Sequence, residues 1–233
     1  MRKLVLIIDQ TIDRCLMLLF IIIFLIGLYF CYDMWYVFNH ANDQSLLNYK
    51  PTPDSSEMLR KLSKDAIGWI TVKDTGIDYP IMQGEDNLEY INKDPYGRFS
   101  ISGSIFLDSR NDPDFKDQYS LIYGHHMEYG VMFGALDRYV NRDYFDKHRN
   151  GEIITDDHVK RKFKIFAAMR TDAKVKLIFN DLDRHDHNQA LLNYIKSHAN
   201  IYEKPMSSHL VSLATCGDPA TTDRWVVFGA FEK

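Results

Sequence analysis

Cysteine is scarce in this chain: three occur among 233 residues, and Cys15 and Cys31 both fall in or beside one apolar run near the N-terminus. That leaves Cys216 with no partner in the rest of the chain, which excludes a disulfide framework there. Excess charge is also lacking. A net charge of −4 gives no electrostatic footprint for a nucleic-acid partner. No CxxC or HExxH spacing is present, and no second cysteine follows the apolar run, so zinc has no support and no metal or cofactor is expected. The RHDHN cluster at 184–188 reads as a solvated loop. Gly and Pro are few, no internal repeat or low-complexity tract occurs, and long apolar stretches are confined to one place.

That place is residues 15–32, CLMLLFIIIFLIGLYFCY, eighteen residues without a charge. Extended to Tyr36, the run can cross a hydrocarbon core of about 30 Å. DMWYVFNH follows it and offers no small-residue cleavage site, so a retained signal anchor over 15–36 is expected rather than a removed leader. Arg2, Lys3 and Arg14 precede the span, and the next basic residue is Lys50. Residues 1–14 are therefore expected in the cytoplasm and the remainder outside, at a cell membrane crossed once.

Residues 37–54 are polar, contain Pro51 and Pro53, and read as a stalk, briefly helical around Leu46 and Leu47. A catalytic domain is expected over 55–233, led by a short helix near 55–65. Strand patterns rich in Ile, Val, Phe and Tyr recur at 68–72, 77–82, 103–108, 119–124, 152–155, 162–169, 209–215 and 224–231. Helices are expected at 129–140 and at 188–199, the latter with Ala190, Leu191, Tyr194 and Ile195 on one side. The fold class is mainly β: an eight-stranded, mostly antiparallel barrel with inserted helices, preceded by a transmembrane helix.

If 209–215 and 224–231 pair as antiparallel neighbours, Cys216 ends one strand where Arg224 begins the next. A guanidinium then stands near a thiol, as an oxyanion donor or as a charged cap on a strand edge. LIYGHHM (121–127) runs an apolar strand into His125 and His126, where an imidazole could take the proton of a thiol. A buried, inert Cys216 is the competing reading of the same residues. No histidine follows Cys216, which is unlike the chain order of papain-like enzymes. The caspase signature is absent, and so is the Ser-x-Gly-Cys setting of the L,D-transpeptidases.

With these stretches assembled, the sequence resembles the sortases, class B in particular. The family's Thr-Leu-x-Thr-Cys motif stands here as Ser212-Leu213-Ala214-Thr215-Cys216, with Ser for the first Thr. IGWITV (67–72), IDYPIMQGEDN (77–87), SGSIFLDSRN (102–111) and LIYGHHM match as well, so the likeness covers roughly 55–233, and the helix at 188–199 points to class B. The resemblance implies a membrane-anchored cysteine transpeptidase of Gram-positive-type envelopes, without a cofactor. It implies Cys216 as nucleophile, His125 as acid and base, and Arg224 as holder of the substrate carbonyl and oxyanion. The partners it implies are a C-terminal sorting-signal peptide (Asn-Pro-x-Thr-like or Pro-Pro-x-Thr-like) and a peptidoglycan amine. Substrate-binding residues are expected at Thr215, Ala214, Leu177 and Ile178. The alternatives are an exported thiol peptidase that only hydrolyses wall peptides, a pilin-joining sortase, and a binding module that does not turn its peptide over.

Overall fold

The computed structural model describes residues 2–41, 43–52, 58–155, 159–180, 187–216 and 222–232. The chain separates into two compact units, residues 1–40 and 41–233. The first is a helix, α1 (Arg2–Ala41), longer at both ends than the expected span. Its apolar side chains stand exposed along its length, Phe20, Phe24, Trp35 and their neighbours among them. Among the described residues it is the one helix long and apolar enough to cross a membrane.

The second unit is built on nine strands: β1 (Ala66–Val72), β2 (Asp78–Met82), β3 (Ile105–Leu107), β4 (Tyr119–His125), β5 (Asn150–Thr155), β6 (Lys160–Asp172), β7 (Ile201–Tyr202), β8 (Leu210–Cys216) and β9 (Asp223–Phe231). They run in the order β5-β1-β2-β3-β4-β8-β9-β6-β7, and β5 also pairs with β6. That pairing closes eight strands into the expected barrel and leaves β7 as a short flap on β6. Closure removes the free edges that an open sheet of such apolar strands would expose. Most pairs are antiparallel; β2–β3 and β4–β8 are parallel.

Helices fill the connections. These are α2 (Met58–Leu62), α3 (Arg142–Lys147), α4 (Lys176–Phe179) and α5 (His187–His198). In α5, Leu191 and Ile195 are fully buried, as the sequence spacing requires, and each contributes about 1.5–3 kcal/mol by leaving water. α2 occupies part of the expected 55–65 helix; residues 53–57 lie outside the described residues.

One expectation needs correction. The helix expected at 129–140 is instead a pair of 3₁₀ turns, Glu128–Gly130 and Gly134–Val140. Tyr129, Gly130 and Met132 take positive φ values of 58°, 80° and 52°, which no continuous α-helix accommodates. Over 37–54, expected as a stalk briefly helical around Leu46 and Leu47, the chain is helical at that place. α1 continues to Ala41, and Gln44–Tyr49 forms a 3₁₀ helix capped by Asp43. Leu46 is buried there in a cluster with Leu59, Trp69 and Phe106, so burial of one apolar side chain recruits the segment into the folded body. Lys50 fastens its end to Asp78 at 2.7 Å, and the same carboxylate oxygen accepts from Trp69 Nε1 and Thr71 Oγ1.

Candidate active site

Register places the site. β4 lies parallel to β8 with Tyr119, Leu121, Tyr123 and His125 opposite Leu210, Ser212, Ala214 and Cys216. β8 in turn pairs with β9, Leu210 opposite Ala230, Ser212 opposite Phe228 and Ala214 opposite Val226. Strand side chains alternate between faces, so Tyr119, Leu121, Tyr123 and His125 share one face of the sheet with Leu210, Ser212, Ala214, Val226, Phe228 and Ala230. α4 and α5 cover the first rows of that face, where Tyr119, Leu121, Leu210, Ala214, Val226 and Phe228 pack against Ile178, Phe179, Leu191 and Ile195. One step further along the strands come the candidate catalytic residues. His125 pairs with Cys216, and Arg224 pairs with Thr171 of β6. The β8–β9 register runs to Ala214 opposite Val226, and the Trp225 amide donates to Thr215 Oγ1, so Cys216 and Arg224 lie at the ends of these neighbouring strands. The three residues singled out in the sequence thus stand side by side on neighbouring strand ends.

His125 is half-buried, and its Nε2 lies 2.8 Å from the Ile91 carbonyl oxygen. A carbonyl only accepts, so Nε2 carries the proton and Nδ1 keeps a lone pair for a neighbouring acid. Burial pushes the imidazole below its usual 6.5, opposed by the bond to Ile91. Gly124, just before it, has to be glycine: a Cβ there would meet Ile105 and stand 2.8 Å from the buried Phe133 ring. His126 faces elsewhere, with Nε2 3.1 Å from Asp137 on the surface.

Arg224 donates from Nη1 to the Asp223 carbonyl at 2.9 Å. Around it, Asp223 pairs with Arg170, Thr222 donates to Asp172 at 2.7 Å, and the Ala173 amide bonds the Thr222 carbonyl. The Asp172 carboxyl is lowered first by Thr222, then by the Lys174 amide, with the Arg224 charge adding to the effect. Residues 217–221 lie outside the described residues, as do 181–186 of the RHDHN region. Among the described residues, no cluster of His, Cys, Asp or Glu suits a metal ion.

The residues expected to bind substrate are placed differently. Thr215 is buried, and its hydroxyl accepts the Trp225 amide at 3.0 Å, stitching β8 to β9 beside the chemical row. Ala214 and Ile178 are fully buried in the core, without surface to offer a peptide in this form. Leu177 is partly buried against the same cluster. Ser212, the motif's departure, has its hydroxyl 2.6 Å from the Tyr119 hydroxyl, so it is a structural tie. Sequence reasoning missed the residues that hold the site's surroundings: Ile91 behind His125, Tyr123 one row below it, and the Asp108–Arg110 pair. Of the stretches quoted for their likeness, 102–111 contains Asp108 and Arg110 and 121–127 contains Tyr123, while Ile91 lies outside them all; their roles depend on which elements meet.

A closed barrel that lines up an imidazole strand, a thiol strand and a guanidinium strand defines a cysteine enzyme of the acyl-transfer class. Comparison with known proteins narrows this. The sortase domain family matches residues 70–232. Sortase B of Staphylococcus aureus (strain NCTC 8325 / PS 47) is 32% identical over 185 residues, 76% of this chain and 74% of that protein. A solved Streptococcus pyogenes class B sortase involved in pilus biogenesis is 45% identical with a TM-score of 0.69, covering 75% of this chain and 96% of that one. The Staphylococcus aureus sortase B–substrate complex is 31% identical with a TM-score of 0.70, covering 76% and 84%. The chain belongs to the sortase family, with the class B cysteine transpeptidases.

Proposed function

We propose that this protein cleaves a C-terminal sorting signal of exported proteins and passes the acyl group to an amine, with Cys216, His125 and Arg224 as the catalytic residues. The observation that supports the reading is the pairing of His125 with Cys216 across β4 and β8, with Arg224 at the start of β9, the next strand. Cys216 attacks the Thr carbonyl carbon, its thiol proton goes to Nδ1 of His125, and the electron pair of the carbonyl moves to oxygen. Arg224 holds that oxyanion, an interaction whose loss typically costs about 3–4 kcal/mol. When the tetrahedral adduct collapses, the imidazolium protonates the departing amine and a thioester remains on Cys216. An incoming amine then gives its proton to His125, attacks the thioester, and releases the thiol with a new amide formed.

Peptide substrates find support in the substrate complex of the Staphylococcus aureus relative. The acceptor is a peptidoglycan amine in the wall-anchoring reading. The higher identity to an enzyme involved in pilus biogenesis favours a second one, in which the amine belongs to another pilin subunit. α1 serves as the membrane anchor, its basic N-terminal end on the cytoplasmic side, and keeps the enzyme at high effective concentration toward membrane-held substrates.

The test incubates the full chain, in detergent micelles, with Asn-Pro-x-Thr and Pro-Pro-x-Thr peptides and a free amine. The expected product is a new amide at the Thr carbonyl. Acid alone, whatever the amine concentration, would replace transfer by a hydrolytic thiol peptidase. Transfer to a lysine-bearing pilin domain, with none to short amines, would favour subunit joining.

A further inference from the structure

The connection from β6 to α5 leaves the chemical row at Ala173, whose amide bonds the Thr222 carbonyl, and passes through α4 over the sheet face. At the end of α4 three successive backbone carbonyls accept from side chains of the barrel. Tyr119 Oη donates to Ile178 at 3.1 Å, Arg110 Nη2 to Phe179 at 2.6 Å, and Arg110 Nη1 to Asn180 at 3.1 Å. The guanidinium is itself aimed by Asp108, which receives Nε at 2.8 Å and Nη2 at 2.7 Å.

Asp108 is fully buried. Burial pushes its carboxyl upward, but the side-chain and backbone bonds from Arg110, its charge and the amide of Asn87 outweigh that and hold it below the usual range. Asn87 Nδ2 reaches Asp108 at 2.9 Å while its Oδ1 takes the Ser109 amide at 2.7 Å, and Tyr123 Oη lies 3.3 Å from the same carboxylate. Asn87 lies in the loop between β2 and β3 that also supplies Ile91, the backbone partner of His125. One ion pair therefore touches both segments that border the row: the 83–104 loop beside His125, and the 173–180 segment that departs beside Thr171 and Arg224.

We propose that Arg110 is a positioning residue for the transpeptidation reaction, its fork coupling the 83–104 loop to α4 and so fixing the width of the peptide groove above His125, Cys216 and Arg224. The inference rests on the peptide-processing reading of the site. Arg suits the task because its planar fork spans two adjacent carbonyls and a carboxylate together, whereas a lysine ammonium on the same stem cannot. The charge on Arg110 also compensates a carboxylate with no solvent of its own.

Arg110→Lys in the full chain in micelles keeps that charge and removes the fork. Hydrogen exchange followed by mass spectrometry is expected to show faster exchange in both 87–91 and 176–180, with β8 and β9 unchanged. Unchanged exchange in either segment would overturn the coupling, and this readout stands even if no tested peptide is processed. With a peptide that the wild type does process, KM is expected to rise about tenfold, the equivalent of one or two hydrogen bonds, with kcat within about twofold. A merely structural residue would lower the thermal midpoint or the active fraction and leave KM alone; that result overturns the proposal. Arg110→Gln, read the same way, is expected to raise KM further, and a KM equal to that of the wild type would contradict the role.

Discussion

At position 125, burial works against a charged imidazole, and the Ile91 carbonyl only partly offsets it. In the folded protein this histidine stays neutral to a lower pH than an ordinary one. An unfolded chain binds the proton first, so stability falls as pH drops from 6.5 toward the depressed value. In the proposed mechanism the same depression supplies a base that is ready at neutral pH. Followed by NMR in a Cys216→Ala background, which removes the thiol's own charge, His125 is expected to titrate below 6.5. A midpoint above 6.5 would mean that a neighbouring anion, not burial, governs it. The placement of this residue, Cys216 and Arg224 at the ends of neighbouring strands was legible because strand patterns, chain order and a motif all mark them. Ile178 was misread because an apolar Leu177-Ile178 pair does not reveal which member the core takes. Arg110 gave no sign of its own, since beyond nearby Asp108 it bonds backbone carbonyls 69 and 70 residues away.

Elements tell a similar story at larger size. The eight barrel strands were readable because β-branched and aromatic runs alternate with turn residues, and α5 because its apolar stripe keeps helical spacing. β7 is two residues that pair only with β6, too short to leave a pattern. The 3₁₀ pair around Phe133 carries helical apolar spacing but is broken by left-handed backbone at Tyr129 and Met132, both non-glycine. What holds that bend is contact. Phe133 is fully buried and lies against Gly124, so the bend and the strand that presents His125 are one packed unit. Gly124→Ala is therefore expected to cost about 1–3 kcal/mol by overpacking. Denaturant unfolding measures it, and a variant as stable as the wild type would show that Phe133 yields freely.

For the whole molecule, the order of the strands in the sheet is what turns local strand patterns into a candidate site. It brings β4, β8, β9 and β6 side by side although their residues are widely separated in the chain, with helices covering one face up to the row that must stay accessible. The sequence could announce the strands but not their order, because parallel neighbours such as β4 and β8 are joined through long connections. Membership of the sortase family explains the arrangement; the side-by-side row explains how it would work. The most direct measurement is mass spectrometry of the full chain quenched during turnover of a sorting peptide. The account predicts an acyl adduct on the proteolytic fragment containing Cys216, discharged by added amine and absent in Cys216→Ala. An adduct on another residue, or undiminished turnover by the Cys216→Ala variant, would contradict it.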